Sequence, residues 1–396
     1  MASERAEPAL RPRRPPPWRN PAVRGVVYQI LFVAVIAGLG AFLVHNTLVN
    51  LERQNIATGF GFLRREAAFG IGESRIRYSP ADTYARAFLV GLTNTLYVAV
   101  LGVVLATILG TVMGLARLSS NWLIAKLAQV YVETFRNIPL ALQLLFWWGV
   151  LRGSAPSPRQ AWQPLPDVFL SNRGIVFPVP HADPAHRWIL AALLVGILAA
   201  WAVARWAHGR QARTGQQFPS GWAGLALIAG LPLAVFLGAG APLRLDVPAL
   251  HGFNFTGGST VSPELGALLI GLVIYTGSFI AEIVRAGILA VSWGQSEAAM
   301  ALGLTSSQRM RLVVLPQALR VIVPPMTSQY LNLTKNSSLA VIIGYPDLVS
   351  IANTTINQTG QAVEGIALIM AVYLALSLLI SLAMNLYNRA VALVER

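Results

Sequence analysis

Long apolar stretches separated by short polar segments dominate this chain of 396 residues. A bilayer's hydrocarbon core of about 30 Å needs roughly 20 helical residues to cross it. Eight stretches approach or exceed that length, at about 25–49, 87–115, 123–151, 188–207, 222–241, 263–288, 321–343 and 365–387. The pattern predicts an all-α integral membrane protein with about eight transmembrane helices.

Composition supports a multi-pass membrane protein. The chain is 55% hydrophobic and 12% charged, against roughly 25% charged for soluble domains. Its net charge of +14 does not predict a nucleic-acid partner, because the basic residues are scattered at the ends of apolar runs, as in the cytoplasmic loops of membrane proteins. Eight spans place both termini on one side, and the basic N-terminal tail predicts that this side is the cytoplasm.

Few enzyme chemistries fit the sequence. There is no cysteine, and neither lysine follows a glycine, as a phosphate-binding P-loop requires, so ATP binding by that motif is excluded. His181, Asp183 and His186 are a weak metal candidate, since Pro184 disfavours a ligand-bearing helix between them. We therefore predict no catalytic, cofactor-binding or metal-ligating residues.

One polar stretch between apolar spans, residues 297–316, has the sequence pattern of two short helices joined by a sharp turn. Gly303 stands where the first helix should end, because a left-handed residue costs glycine no steric penalty. Thr305 and Gln308 have capping-box spacing for a second helix, and Pro316 marks its end or a kink. Geometry alone leaves open whether this is an ordinary amphipathic loop or a specialised element.

Polar side chains inside apolar spans should face the bundle interior or a watery path. The seventh span is richest in them, and the third contributes Gln143. The candidates for a substrate path are Gln143, Gln329, Asn332, Lys335, Asn336, Ser337 and Ser338. The alternative is a structural hydrogen-bond network between helices, with Lys335 paired to a carboxylate.

Two pairs of opposite charges stand three residues apart on predicted helices. They are Glu133 with Arg136 in the third span and Glu282 with Arg285 in the sixth. Side chains at this spacing share a helix face. Each pair is therefore predicted to be a structural ion pair.

Several motifs resemble a known family. Glu297-Ala-Ala, Gly303 six residues on and the closing Leu315-Pro316 resemble the EAA motif of permease subunits in binding-protein-dependent ABC importers. Val313 replaces the family's usual isoleucine. The segments 133–139 and 333–340 are similar to the polar amino-acid branch. Within that branch, the long N-terminal part resembles the larger permeases of general L-amino-acid and glutamate/glutamine/aspartate/asparagine systems.

The resemblance implies a domain organisation with a type I importer core. Ahead of that core, the density of proline and arginine predicts a disordered basic cytoplasmic tail at 1–25, and the first apolar run predicts an extra span with an external loop at 26–83. Permease core segments are expected at 84–151 and 262–396, separated by an insertion with two spans at 152–261.

The resemblance also implies a function. In this family the EAA stretch forms a cytoplasmic coupling helix that docks on an ATPase subunit, which binds ATP and magnesium in this chain's place. The coupling residues would be Glu297, Ala298, Ala299, Gly303, Leu315 and Pro316. The chain is then expected to form a heterodimer with a second homologous permease in the bacterial inner membrane, among membrane lipids. A periplasmic binding protein would deliver polar L-amino acids. A stand-alone, ion-coupled secondary transporter is the alternative, and a channel or passive scaffold is a third class.

Overall fold

The computed structural model describes residues 21–54, 57–181, 183–241 and 243–391. The predicted disordered tail lies outside these residues as far as position 20. Residues 21–25, which the prediction included in that tail, are helical, because α1 begins at Pro21.

Helices make up most of the described chain. They are Pro21–Arg53 (α1), Tyr84–Ala116 (α2), Trp122–Asn137 (α3), Leu140–Gly153 (α4), Ala185–Thr214 (α5), Ser220–Gly238 (α6), Pro263–Leu289 (α7), Trp293–Ala301 (α8), Ser306–Arg309 (α9), Leu315–Asn336 (α10), Leu348–Thr359 (α11) and Ala362–Val391 (α12). The predicted helical membrane class is confirmed.

Six of these helices, α1, α2, α5, α6, α7 and α12, are long and apolar enough to cross a membrane. The helical run that contains α10 meets α11 at a bend of 52°, and this pair counts as a seventh span if the two together make one crossing. The predicted third span is broken, because Pro139 has no amide hydrogen for the helix ladder and α3 ends at Asn137 before α4 begins. The full count of eight spans stays a prediction.

Close packing at glycines joins the central helices. A Cβ atom at Gly110 of α2 would lie 2.6 Å from the Ile280 side chain of α7, and one at Gly114 would lie 2.7 Å from the Ala281 carbonyl. Small residues at such crossings let two membrane helices approach backbone to backbone. Gly287 of α7 makes a similar approach to Ile322 of α10.

The segment before α2 is ordered against the core. Phe62 and Ala67 are buried in a cluster with Tyr84, at the start of α2, and Ile351 of α11. The amide of Gly59 donates a 2.6 Å hydrogen bond to the Glu364 carboxylate at the start of α12. The predicted external loop is therefore packed against the start of α2 and the junction of α11 and α12.

The insertion contains short strands that the sequence reading did not foresee. They are Trp162–Leu165 (β1), Val168–Ser171 (β2), Gly174–Phe177 (β3), Val179–Pro180 (β4), Leu245–Asp246 (β5), Ala249–His251 (β6), Asn254–Thr256 (β7) and Ser259–Val261 (β8). The order β1-β2-β3-β8 makes a four-stranded antiparallel sheet, while β4-β5 and β6-β7 are separate pairs. Pairing of β3 with β8 joins the insertion to the start of α7.

The two helices of the insertion pack on each other. A Cβ at Gly196 of α5 would lie 2.6 Å from the Leu227 carbonyl of α6. Most of their remaining surface is uncovered, with 11% and 6% of the apolar windows of α5 and α6 buried. The first helix, α1, has none of its apolar window buried.

Candidate functional site

The predicted turn at Gly303 is confirmed. The helix α8 ends at Ala301, and Gly303 follows with φ of 75°, a left-handed value that side chains with a Cβ rarely adopt. The amide of Leu304 then donates to the carbonyl of Ala299 at 3.1 Å. This bond satisfies a carbonyl that the end of the helix would otherwise leave without a donor.

The capping box is also confirmed. The hydroxyl of Thr305 accepts a hydrogen bond from the Gln308 amide, and the Gln308 side chain accepts one from the Thr305 amide at 2.9 Å. A π-helical segment, Met310–Val314, then leads directly into α10. Pro316 therefore lies in the first turn of α10 rather than at the end of the helix. There its missing amide hydrogen breaks no essential bond.

The stretch exposes large apolar side chains in a loop between two apolar helical segments. Leu302 is 81% exposed, Trp293 is 70% exposed and Leu312 is 61% exposed. Glu297 and Ala298 are exposed as well, whereas Ala299 is buried. Exposed apolar side chains concentrated on one loop are typical of a surface that another protein covers. We call residues 293–312 the docking loop.

The predicted path residues of α10 divide into two sets. Asn332 and Lys335 are exposed, and Ser328 lies on the same face at helical spacing. An uncovered polar face on a membrane span is costly in lipid, so this face requires a partner or water. We call Ser328, Asn332 and Lys335 the polar stripe. Gln329 and Asn336 are partly buried beside it.

Two of the predicted path residues bond locally. The hydroxyl of Ser337 donates to the Thr334 carbonyl at 2.7 Å, and that of Ser338 donates to the Lys335 carbonyl at 2.7 Å. These serines close the last turn where α10 passes into a 3₁₀ segment, Ser337–Ile343.

Gln143 does not lie on the polar stripe. Its side chain is buried, and its Nε2 donates 3.0 Å hydrogen bonds to the carbonyls of Phe135 and Ile138. The break at Pro139 leaves carbonyls without helical partners, and buried carbonyls need a donor. Gln143 therefore holds the junction of α3 and α4.

The predicted pair of Glu133 with Arg136 is wrong. The Glu133 carboxylate instead accepts a 2.6 Å hydrogen bond from Gln129, one turn earlier. The Arg136 guanidinium lies 4.9 Å from the ring centre of Phe279 on α7. The packing of α3 on α7 supplies this aromatic partner, which spacing along one helix does not reveal.

The predicted pair of Glu282 with Arg285 is also wrong. The Glu282 carboxylate pairs with Arg117, which follows the last residue of α2. Their side chains are 33% and 12% exposed, respectively. The close contact between α2 and α7 brings Arg117 within reach, so the pair joins two helices instead of stabilising one.

Sequence reasoning missed the polar contacts at the break between α10 and α11. The Asn94 side chain of α2 donates to the Pro346 carbonyl at 2.9 Å. The neighbouring Thr95 hydroxyl accepts from the Leu348 amide at 3.1 Å. Both α2 residues are fully buried. An Asn-Thr pair in an apolar run was the available signal, but its partners lie some 250 residues away in sequence.

Asp347 caps α11 within the same break. One carboxylate oxygen accepts a 2.8 Å hydrogen bond from the Ser350 amide, as an N-cap does. The side chain is 1% exposed. The break is therefore fixed from two directions, by the cap and by α2.

A cavity of about 430 Å³ opens near the start of α7, at the end opposite the docking loop. Glu73 and Glu264 contribute to its lining. The Ser262 hydroxyl donates to Glu73 at 2.6 Å, and Arg152 pairs with Glu264 at 3.1 Å. Burial raises the pKa of Glu73 above its ordinary value, an effect that the Ser262 bond and the charge of Arg75 oppose.

A bundle of long apolar helices, with a polar stripe on one of them and an exposed loop leading into it, has the architecture of a membrane permease. The chain belongs to the family of binding-protein-dependent transport system inner membrane components, whose sequence model matches residues 102–393.

Three relatives are similar over nearly the whole chain. It is 54% identical to the general L-amino acid transport system permease protein AapQ of Rhizobium johnstonii, covering 95% of this chain and 94% of the relative. It is 51% identical to the putative amino-acid ABC transporter permease protein YhdX of Escherichia coli K12, covering 96% and 97%. It is 43% identical to the glutamate/glutamine/aspartate/asparagine transport system permease protein BztB of Rhodobacter capsulatus, covering 94% and 95%.

Proposed function

We propose that this chain is the translocating subunit of an ABC importer for polar L-amino acids in the bacterial inner membrane. A separate ATPase subunit would bind ATP and magnesium and drive the cycle. The docking loop is the main support for this proposal, because it presents exposed apolar side chains on a helix–turn–helix frame. The names of the three relatives support the substrate class.

The docking loop would transmit ATPase movement to the spans. Leu302 and Trp293 offer apolar anchors, and the exposed Glu297 offers a polar contact. The loop continues through the π-helical segment into α10 without interruption. A force on the loop therefore reaches the polar stripe along one helical run.

The polar stripe would face a second, homologous permease. An exposed lysine and asparagine in a membrane span need water or protein beside them. A heterodimer whose interface encloses these side chains would provide a polar path for an amino acid. The ammonium of Lys335 suits a carboxylate, which every amino acid carries, so this contact does not choose a side chain.

This assignment implies an orientation. With the docking loop in the cytoplasm and eight spans, both termini would be cytoplasmic and the cavity at Glu73 would face the periplasm. A periplasmic binding protein would then release substrate on the Glu73 side.

The decisive experiment replaces Gly303 with proline in the complete transporter, reconstituted with its binding protein. Proline cannot adopt a φ of 75°, so the turn between α8 and α9 is lost. We expect ATP hydrolysis to lose its stimulation by binding protein and substrate, while the chain stays in the membrane. Gly215→Pro is the matched control, because Gly215 has a similar φ of 72° and equally open surroundings. Equal stimulation in the Gly303→Pro protein would overturn the proposal.

A further inference from the structure

One end of the α5–α6 hairpin carries positive charge without a counter-charge. Residues 184–245 contain five arginines and no aspartate or glutamate. Three of them, Arg205, Arg210 and Arg213, lie in the last three turns of α5. Within the described residues none of these three forms an ion pair. We call them the arginine cluster.

Aromatic residues place this cluster at a membrane interface. Trp188 and Trp206 are 18 residues apart, which is about 27 Å along a helix at 1.5 Å per residue. That distance is close to the roughly 30 Å of a hydrocarbon core. Trp222, near the start of α6, is 76% exposed at the same end as Trp206. Tryptophan concentrates at the level of the lipid headgroups, so Arg210 and Arg213 lie at or just beyond that level.

Contacts with tryptophan rings and a glutamine side chain orient two of the arginines. The Arg205 guanidinium lies 5.0 Å from the Trp201 ring centre, and that of Arg210 lies 5.5 Å from the Trp206 ring centre. Stacking on an aromatic ring leaves the edge N–H groups of a guanidinium available to a phosphate. The Arg210 Nη2 also donates to Gln216 at 2.7 Å, which fixes its position over the loop.

The start of α6 adds to the positive potential. The helix begins at Ser220, and its N-cap residue, Pro219, makes no side-chain hydrogen bond to the first turn. The first amides of a helix carry partial positive charge and favour an anion. They lie one short loop away from the arginine cluster.

We propose that the inner end of the α5–α6 hairpin binds the headgroup phosphate of an anionic phospholipid. Exposed tryptophans, apolar flanks of α5 and α6 that are mostly uncovered, and arginines at headgroup level match a lipid better than a protein carboxylate. The hairpin would thereby anchor the insertion beside the permease core. Placement in the inner leaflet rests on the proposed function, which sets the cytoplasmic side.

Native mass spectrometry of the complete transporter, titrated with phosphatidylglycerol against phosphatidylcholine, tests the site. Each basic residue near a membrane surface contributes about fivefold to binding of acidic lipid, so removing three should cost on the order of 100-fold. We expect this loss of phosphatidylglycerol retention in an R205Q/R210Q/R213Q protein. R187Q/R244Q, at the opposite end of the hairpin, should bind normally. A triple lysine variant should retain most of the binding, because it keeps the charge.

Several results would overturn the proposal. Unchanged retention in the triple glutamine variant, or equal retention of phosphatidylcholine, removes the anionic-lipid site. Displacement by millimolar inorganic phosphate would indicate a free-anion site instead. Loss of another subunit, with phosphatidylglycerol retention unchanged, would assign the cluster to a protein contact.

Two further measurements separate this site from the transport function. Gly303→Pro, which uncouples the ATPase, should leave phosphatidylglycerol retention unchanged. Because the chain has no cysteine, a Gln216→Cys protein can report the sidedness of the loop with an impermeant thiol reagent. Labelling from the outer face would overturn both the orientation and the inner-leaflet placement. Inner-face labelling, together with failed phosphatidylglycerol retention in the protein that keeps Gln216, would overturn the lipid site alone.

Discussion

The carboxylate of Glu282 on α7 pairs with the guanidinium of Arg117, which immediately follows α2. Glu282 lies about two turns before the end of α7 at Leu289, and the docking loop begins four residues later at Trp293. The pair therefore holds the end of α2 against the last turns of α7, beside the element that we propose to receive ATPase movement.

Arg117→Ala should lower stability by about 1–3 kcal/mol, because it leaves a partly buried carboxylate without its partner. Thermal unfolding in detergent measures this change. The exchanged pair R117E/E282R should recover part of the loss. Arg285→Ala is the matched control on α7, since Arg285 forms no ion pair among the described residues. A loss in the Arg285→Ala protein as large as in Arg117→Ala would contradict the assignment.

Gln143→Leu should destabilise the junction of α3 and α4. Leucine has a similar volume but cannot donate to the carbonyls of Phe135 and Ile138, and each unpaired buried carbonyl costs about 1–3 kcal/mol. We expect a lower melting temperature with little change in the substrate concentration for half-maximal uptake. Gln129→Leu on α3 serves as the control, because Gln129 is only partly buried and its side chain bonds the Glu133 carboxylate instead of a backbone carbonyl. A large change in apparent substrate affinity with normal stability would contradict this structural role and would support the prediction that Gln143 lines the substrate path.

Local spacing predicted the docking loop well. The turn at Gly303 and the box formed by Thr305 and Gln308 depend on residues within one or two turns, and side chains at that range have few alternative partners. The break at Pro139 is equally local, because proline acts on the backbone beside it, although residues 123–151 were predicted as one span.

Local residue spacing does not predict contacts between residues that are far apart in sequence. The partner of Glu282 is 165 residues away, and only the glycine-mediated approach of α2 to α7 brings it near. The strand β3 is four residues long and is stabilised by β8, with Ile175 opposite Val261. Such short strands carry little local signal, so the sequence predicts the two apolar helices of the insertion but not its strands.

Glu73 should make stability depend on pH. Its folded-state pKa is raised above the ordinary value by burial, so the native state binds the proton more tightly than the unfolded state. That contribution is fully present below the unfolded pKa, about 4.3, and is lost as pH rises through the raised folded value. In a Glu73→Gln protein the group stays neutral throughout. The two proteins should therefore have similar melting temperatures near pH 4. As the pH increases, the melting temperature of the variant should rise relative to that of the wild type. A constant difference across pH 4–8 would contradict this prediction.

Lys335→Gln should impair transport without disturbing the fold. Lys335 is exposed on the polar stripe of α10, so its removal breaks no buried contact, but it takes away the positive charge that we expect to meet the substrate carboxylate. A charge-assisted hydrogen bond contributes about 1.5–3 kcal/mol, which corresponds to a loss of roughly 10- to 150-fold in uptake efficiency. Uptake of radiolabelled glutamate and glutamine into proteoliposomes measures the effect. The chain offers a single matched control, because its only other lysine, Lys126 of α3, is also exposed. Lys126→Gln should transport normally, and equal losses in the two variants would remove Lys335 from the path.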